Sequence, residues 1–130
     1  MRLYLLDTNI VTHAIKGHPA VTQHLQKTSS RVLRVSVITY AELMYGLARR
    51  PEAKHLHKTV KTFLQMIEVL PFDEYTAEVY GNLRASLEAN GYNLSPLDMQ
   101  IAAHAISIHA ILVTNDQAFR KVGIPVEDWT

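Results

Sequence analysis

Four short, nearly continuous apolar runs, separated by stretches of helical periodicity, constrain this chain more than any other feature. They are Leu3-Tyr4-Leu5-Leu6, Val32-Leu33-Arg34-Val35-Ser36-Val37, Ile67-Glu68-Val69-Leu70 and Ile111-Leu112-Val113-Thr114. A strand that is apolar at consecutive positions has both faces covered, as central strands of a parallel sheet do. A shorter piece, Ile124-Pro125-Val126, suits a sheet edge, where proline is tolerated. Between the runs, Leu56, Val60, Phe63, Leu64 and Ile67 fall on one helical face, with Lys54, Lys58 and Lys61 on another. Val79, Tyr80, Leu83 and Leu87 mark a second amphipathic helix that stops at Asn90-Gly91. From Leu97 to Ile108 the chain is apolar nearly all round, which predicts a helix buried in the core or against a second subunit. The alternation predicts an α/β fold: one domain over residues 1–130, a three-layer α/β/α sandwich around a mostly parallel sheet.

Hydrophobic residues make up 48% of the 130 positions, enough to bury a core. There is no cysteine, which excludes disulfide scaffolds, thiol catalysis and cysteine-ligated zinc. Asp7 interrupts the first apolar run too early for a signal peptide, and no stretch reaches the ~20 apolar residues of a membrane span. A cytoplasmic location without membrane contact is expected.

The acids that follow the runs suggest chemistry. Asp7 directly follows the first run, Glu42 lies just past the second, Asp98 opens the buried helix, and Asp116 follows the fourth run. In an open parallel sheet the strands' carboxyl ends share one edge, and ligands bind in its crevice. Carboxylates gathered there raise one another's pKa. A hard divalent cation such as magnesium relieves that repulsion, bridges to phosphates and activates water for phosphodiester hydrolysis. With those four set aside, 13 basic side chains face eight acidic ones, a balance that suits a polyanionic substrate. A plainer reading stands beside this one. Each acid sits where a helix begins, so Asp7 suits an N-cap, Thr39-x-x-Glu42 a capping box, Ser95-Pro96-x-Asp98 a near equivalent, and Asn115 or Asp116 another cap. Spacing alone leaves both readings open.

The local strings separate them. Leu5-Leu6-Asp7-Thr8-Asn9, Ser36-Val37-Ile38-Thr39-Tyr40-Ala41-Glu42-Leu43, Pro96-Leu97-Asp98-Met99-Gln100-Ile101-Ala102 and Val113-Thr114-Asn115-Asp116-x-x-Phe119, in this order, resemble the PIN-domain family. The likeness is greatest to the VapC toxins of bacterial VapBC toxin–antitoxin pairs, and it extends to the closing Val126-Glu127-Asp128-Trp129. The resemblance implies a magnesium- or manganese-dependent (Mg2+ or Mn2+) endoribonuclease acting on structured RNA, often tRNA. It implies Asp7, Glu42 and Asp98 as principal metal ligands, with Asp116 completing the pocket at a position that varies between acid and amide. Asn9 and Thr114 match supporting polar positions. It further implies a VapB-type antitoxin that blocks the pocket, commonly with a basic side chain, a homodimer, and DNA contact only through the antitoxin.

Other features carry two readings each. Arg49, Arg50, Lys54, Lys58 and Lys61 read as RNA phosphate contacts or as a solvated face. Leu43, Gly46 and Leu47 read as a partner groove, with Tyr40, Tyr45 and Trp129 as exposed anchors, or as ordinary packing. His55 with His57, and His104 with His109, are poorly spaced for a metal. Among rival folds, a phosphoacceptor receiver domain would use Asp73 but lacks the lysine it needs after Val113-Thr114. A haloacid-dehalogenase-type phosphatase would want an acid where Asn9 stands. A flap-type DNA nuclease needs a longer chain. A non-catalytic RNA-binding module would bind without metal or activity.

Overall fold

The structure is a computed structural model that describes residues 2–130; Met1, the first residue of the expected domain, lies outside them. Five strands form one all-parallel sheet: β1 (Tyr4–Leu6), β2 (Leu33–Ser36), β3 (Glu68–Leu70), β4 (Ile111–Val113) and β5 (Val126–Glu127), in the order β3-β2-β1-β4-β5. Six α-helices connect them: α1 (Thr8–Ile15), α2 (Pro19–Lys27), α3 (Val37–Ala48), α4 (Lys54–Gln65), α5 (Glu74–Ala89) and α6 (Pro96–Ser107). Short 3-10 segments at Ser30–Val32 and Gln117–Val122 complete the connections.

The continuous apolar runs do what two-sided burial requires. Leu6 and Val113 pack with helices α1 to α4 on one face, whereas Leu5 and Leu112 pack with α5, α6 and Phe119 on the other. Consecutive residues of one strand thus feed opposite cores, which gives the three layers. Helix α6 is buried through Met99, Ile101, Ala102, Ala103, His104 and Ala105, so the core covers most of its apolar surface. Helix α5 ends as the Asn90-Gly91 pair predicts. Gly91 adopts φ 74°, and the Tyr92 and Gly91 amides donate to the carbonyls of Leu87 and Glu88.

Two boundaries differ from the sequence reading. The second run stops at Ser36 because the Ser36 hydroxyl accepts from the Ile38 amide and starts α3, which draws Val37 into the helix. The edge strand lies at Val126–Glu127 rather than Ile124–Val126; Pro125 contributes only its carbonyl, to the Leu112 amide. Of the two readings of Trp129, packing holds and the exposed anchor does not. Trp129 is only 3% exposed, stacked on His24 with ring centroids 5.0 Å apart and tilted against Tyr4 at 5.3 Å. Its Nε1–H donates to Glu127, which fastens the C-terminus over the α1–α2 layer. Tyr40 and Tyr45 are exposed, Tyr45 at 65%.

Trp129→Ala should therefore act on the fold, lowering unfolding free energy in urea by about 3–5 kcal/mol.

Candidate functional site

The strand order fixes where a site can lie. The chain winds outward from β1 through β2 to β3, then returns to lay β4 on the other side of β1, so the connections reverse direction between β1 and β4. Crevices at such a reversal, at the carboxyl ends of the strands, are the usual ligand positions of open α/β sheets. Asp7 ends β1 there, and its amide donates to the Val113 carbonyl at 2.9 Å. Thr114 and Asp116 leave β4 beside it. Glu42 comes from α3, the helix after β2, and Asp98 from the first turn of α6.

Asp7 is 6% exposed, and none of the ion pairs among the described residues involves it. Its Oδ1 accepts from the Thr8 amide at 2.8 Å, the N-cap of α1. Its Oδ2 accepts from the Thr114 hydroxyl at 2.8 Å. Thr114 Oγ1 in turn accepts from the Asp116 amide at 3.1 Å, while Asp116 Oδ1 caps the following 3-10 segment through Ala118. On the other side the Thr8 hydroxyl donates to Glu42 Oε1 at 2.7 Å. With that single proton committed, Thr39 must be the donor in its 3.0 Å contact with Thr8. Thr8 and Thr114 therefore tie three of the four acids into one hydrogen-bonded set.

Asp98 joins them through charge. Burial, first, pushes the Asp7 carboxyl up to about 6, against the Thr114 and Thr8 hydrogen bonds, and the charges of Asp98 and Glu42 push it the same way. The Asp98 carboxyl is raised by its own partial burial and then by Asp116 and Glu42. All four acids thus belong to one anionic cluster. As the side chains stand, no three acidic or imidazole groups among the described residues converge closely enough to share one ion.

The plainer reading of these acids fares unevenly. Asp7 and Asp116 do cap, and Ser95 caps α6 by accepting from the Asp98 amide, with Pro96 at the first position. Glu42 does not: Ser36 is the cap of α3, and Glu42 sits one turn further in, so Thr39-x-x-Glu42 is not a capping box. Of the supporting positions, Thr114 is buried against Asp7, whereas Asn9 is exposed on α1 and its side chain makes no hydrogen bond among the described residues. Thr8 and Thr39 were missed by the sequence reading. Thr8 stands inside the Asp7-Thr8-Asn9 string, and Thr39 enters the sequence reading only as half of the capping-box alternative. Asp73, the acid a receiver domain would use, is committed to capping α5 through the Thr76 amide and hydroxyl.

Beside Glu42 runs a groove of about 480 Å³, floored by Leu43, Leu47, Leu56 and Val60 and edged by Lys16, Arg49 and Arg50. The Leu43–Gly46–Leu47 face therefore contributes both to the core and to this groove.

Because Asp7 binds its proton more tightly when folded, its contribution to stability is complete below pH 3.8 and is lost as the pH rises through about 6. At pH 7 the ionised group costs roughly 3 kcal/mol. Asp7→Asn should thus stabilise the metal-free protein at pH 7, with the gain shrinking towards pH 4, as measured by urea unfolding at both values.

The chain's relatives agree with this geometry. The PIN domain family model matches residues 4–125. The chain is 33% identical to ribonuclease VapC2 of Rickettsia felis over 131 residues, 98% of each chain. It is also 33% identical to the tRNA(fMet)-specific endonuclease VapC of Shigella flexneri over 132 residues, 100% of each. The crystal structure of DNA-bound VapBC from Salmonella typhimurium contains a chain that superposes with a TM-score of 0.92 at 33% identity, covering 100% of both chains. A parallel sheet with acids gathered at its switch point, and full-length likeness to these ribonucleases, together establish that the chain belongs to the PIN-domain family, among the VapC ribonucleases.

Proposed function

We propose that this chain is the toxin of a toxin–antitoxin pair, an endoribonuclease that hydrolyses phosphodiester bonds in structured RNA, with tRNA as its target, in the bacterial cytoplasm. The observation that carries this reading is Asp7: a buried carboxylate with no cationic side chain paired to it among the described residues, under the charges of Asp98 and Glu42, with Asp116 bearing in turn on Asp98. Such a cluster is costly unless something positive completes it.

The donor set fits a hard dication. It offers only carboxylate and hydroxyl oxygens, with no thiolate among them, which favours magnesium or manganese over zinc or copper. Asp7, Glu42, Asp98 and Asp116 would hold it once their side chains turn closer together than they stand, and when bound it would supply the charge that activates water and steadies the leaving oxygen. The chain's own residues do the positioning. Thr114 holds Asp7 Oδ2, and Thr8 holds Glu42 Oε1, so both carboxylates are oriented by outer hydrogen bonds. Asn9, exposed at the start of α1, is available to a ribose or phosphate oxygen.

The groove beside Glu42 suits an antitoxin helix of VapB type. Its apolar side chains would lie on Leu43, Leu47 and Leu56, and a basic residue would reach the acids. DNA would be met only through that antitoxin, and two copies of the toxin would associate as a homodimer. No helix among the described residues is long and apolar enough to cross a membrane.

Purified, antitoxin-free protein should cleave tRNA with magnesium or manganese and stop when a chelator is added; cleavage that persists in chelator would refute the metal-dependent reading. Asp98→Asn should reduce cleavage to background in a folded protein. Thr8→Val, which releases Glu42 and also takes away the acceptor of the buried Thr39 hydroxyl, should lower kcat by about 10–100-fold in a protein that still folds, and full activity in that variant would remove Thr8 from the machinery.

A further inference from the structure

We propose that the exposed face of α4 is an RNA backbone-binding surface outside the acidic crevice, with Lys54, Lys58 and Lys61 as its phosphate contacts. This rests on the ribonuclease reading and names how that enzyme grips its substrate.

The charge distribution is lopsided. Residues 49–61 hold five of the chain's 13 lysines and arginines and one of its 12 acids, although the formal net charge of the whole is only +1. Helix α4 itself contains no acid. Lys54, Lys58 and Lys61 are all exposed, and none of them enters an ion pair among the described residues. At 1.5 Å per residue they form a line about 10 Å long on the face opposite Leu56 and Val60.

This arrangement works against the helix that carries it. Lys54 and Lys58 are like charges at the i, i+4 spacing, which destabilises a helix. Lys54 is the first residue of α4, a cation at the positive end of the helix dipole. Ala53 offers no side-chain cap, and no acid lies in the first turn. Packing of Val60, Leu56, Phe63 and Leu64 on the core holds α4 in place regardless. A solvated face has no need of uniform sign, since mixed charges would keep it soluble and support the helix.

The partner's class follows from what the stripe lacks. A protein interface has an apolar or aromatic centre, whereas the hollow along the lysines is lined by Pro51, His57, Thr62 and Gln65, and the exposed Met66 and Tyr40 lie at its borders. Phosphates need only cations and hydrogen-bond donors. The stripe is also joined to the crevice. His57 Nε2 donates to the Arg50 carbonyl at 2.9 Å, and Arg50 edges the groove that reaches Glu42. An RNA strand with its scissile bond among the acids would have adjoining phosphates led by Arg49 and Arg50 onto α4.

The test compares the whole wild-type chain with K54A/K58A/K61A, using unfractionated bacterial tRNA with chelator present so that the RNA stays intact. The triple variant should bind at least about tenfold more weakly at low salt, and its log–log salt slope should fall by about 2–3, close to one for each lysine removed. Its Tm should be unchanged or higher, and with magnesium restored KM should rise while kcat holds. An unchanged salt slope would overturn the inference in favour of a solvated face. Retained tRNA binding with lost antitoxin binding would overturn it in favour of a protein contact. Failure of the wild-type chain to cleave RNA with either metal would instead count against the nuclease reading, leaving the binding comparison to be judged on its own.

Discussion

A carboxylate buried at the end of the central strand, with no cationic side chain paired to it among the described residues, is the constraint on which the rest of this molecule depends. Asp7 is held there by the sheet itself, because its amide continues the β1–β4 ladder. Its oxygens are satisfied by one amide and one hydroxyl, so it is not an unmade hydrogen bond. What remains uncompensated is charge, and burial together with Asp98 and Glu42 raises its proton affinity. A fold selected for stability alone would place an amide there. The acid that stands there instead is what the proposed cation would neutralise.

The parallel sheet makes that position from modest parts. Strands that feed two cores must be apolar at consecutive residues, so the first polar residue after each is where the chain escapes the sheet and a helix begins. Caps and candidate ligands therefore occupy the same places, and one side chain serves both ends: Asp7 caps α1 with one oxygen and turns the other to Thr114. The positive ends of α1 and α6 moderate the repulsion among the acids. The sign of charge then reverses within a short stretch of chain, from Glu42 in α3 to Arg49, Arg50 and the lysines of α4. In the proposed reading, attraction for a polyanion would come from that basic ground, and a dication held by the acids would supply the charge they lack towards phosphate.

Much of this was legible in the sequence, for reasons that particular residues make plain. The four runs gave the strands because two-sided burial leaves an unmistakable pattern, and Asn90-Gly91 gave the end of α5 because a left-handed residue is needed there. The start of α3 is ambiguous in the sequence. Thr39 and Glu42 have the spacing of a capping box, but Ser36 one turn earlier has the same chemistry, and only the position of the sheet decides between them. Trp129 stays open between exposed anchor and ordinary packing in the sequence because a terminal tryptophan carries no periodicity; its burial comes from His24 and Tyr4, distant in sequence. The Thr8–Glu42 and Thr114–Asp7 links were illegible for the same reason, being contacts across 34 and 107 residues. The acidic set could be listed from its strings, whereas its connection through two threonine hydroxyls required coordinates.

The most direct test is to titrate the Asp7 side-chain carboxyl carbon by NMR, first metal-free and then with saturating magnesium. The metal-free protein should show a midpoint near the value of about 6 set by burial and neighbouring charge, and magnesium should lower it by more than one pH unit. An ordinary carboxylate midpoint that magnesium leaves unmoved would contradict the account at its root.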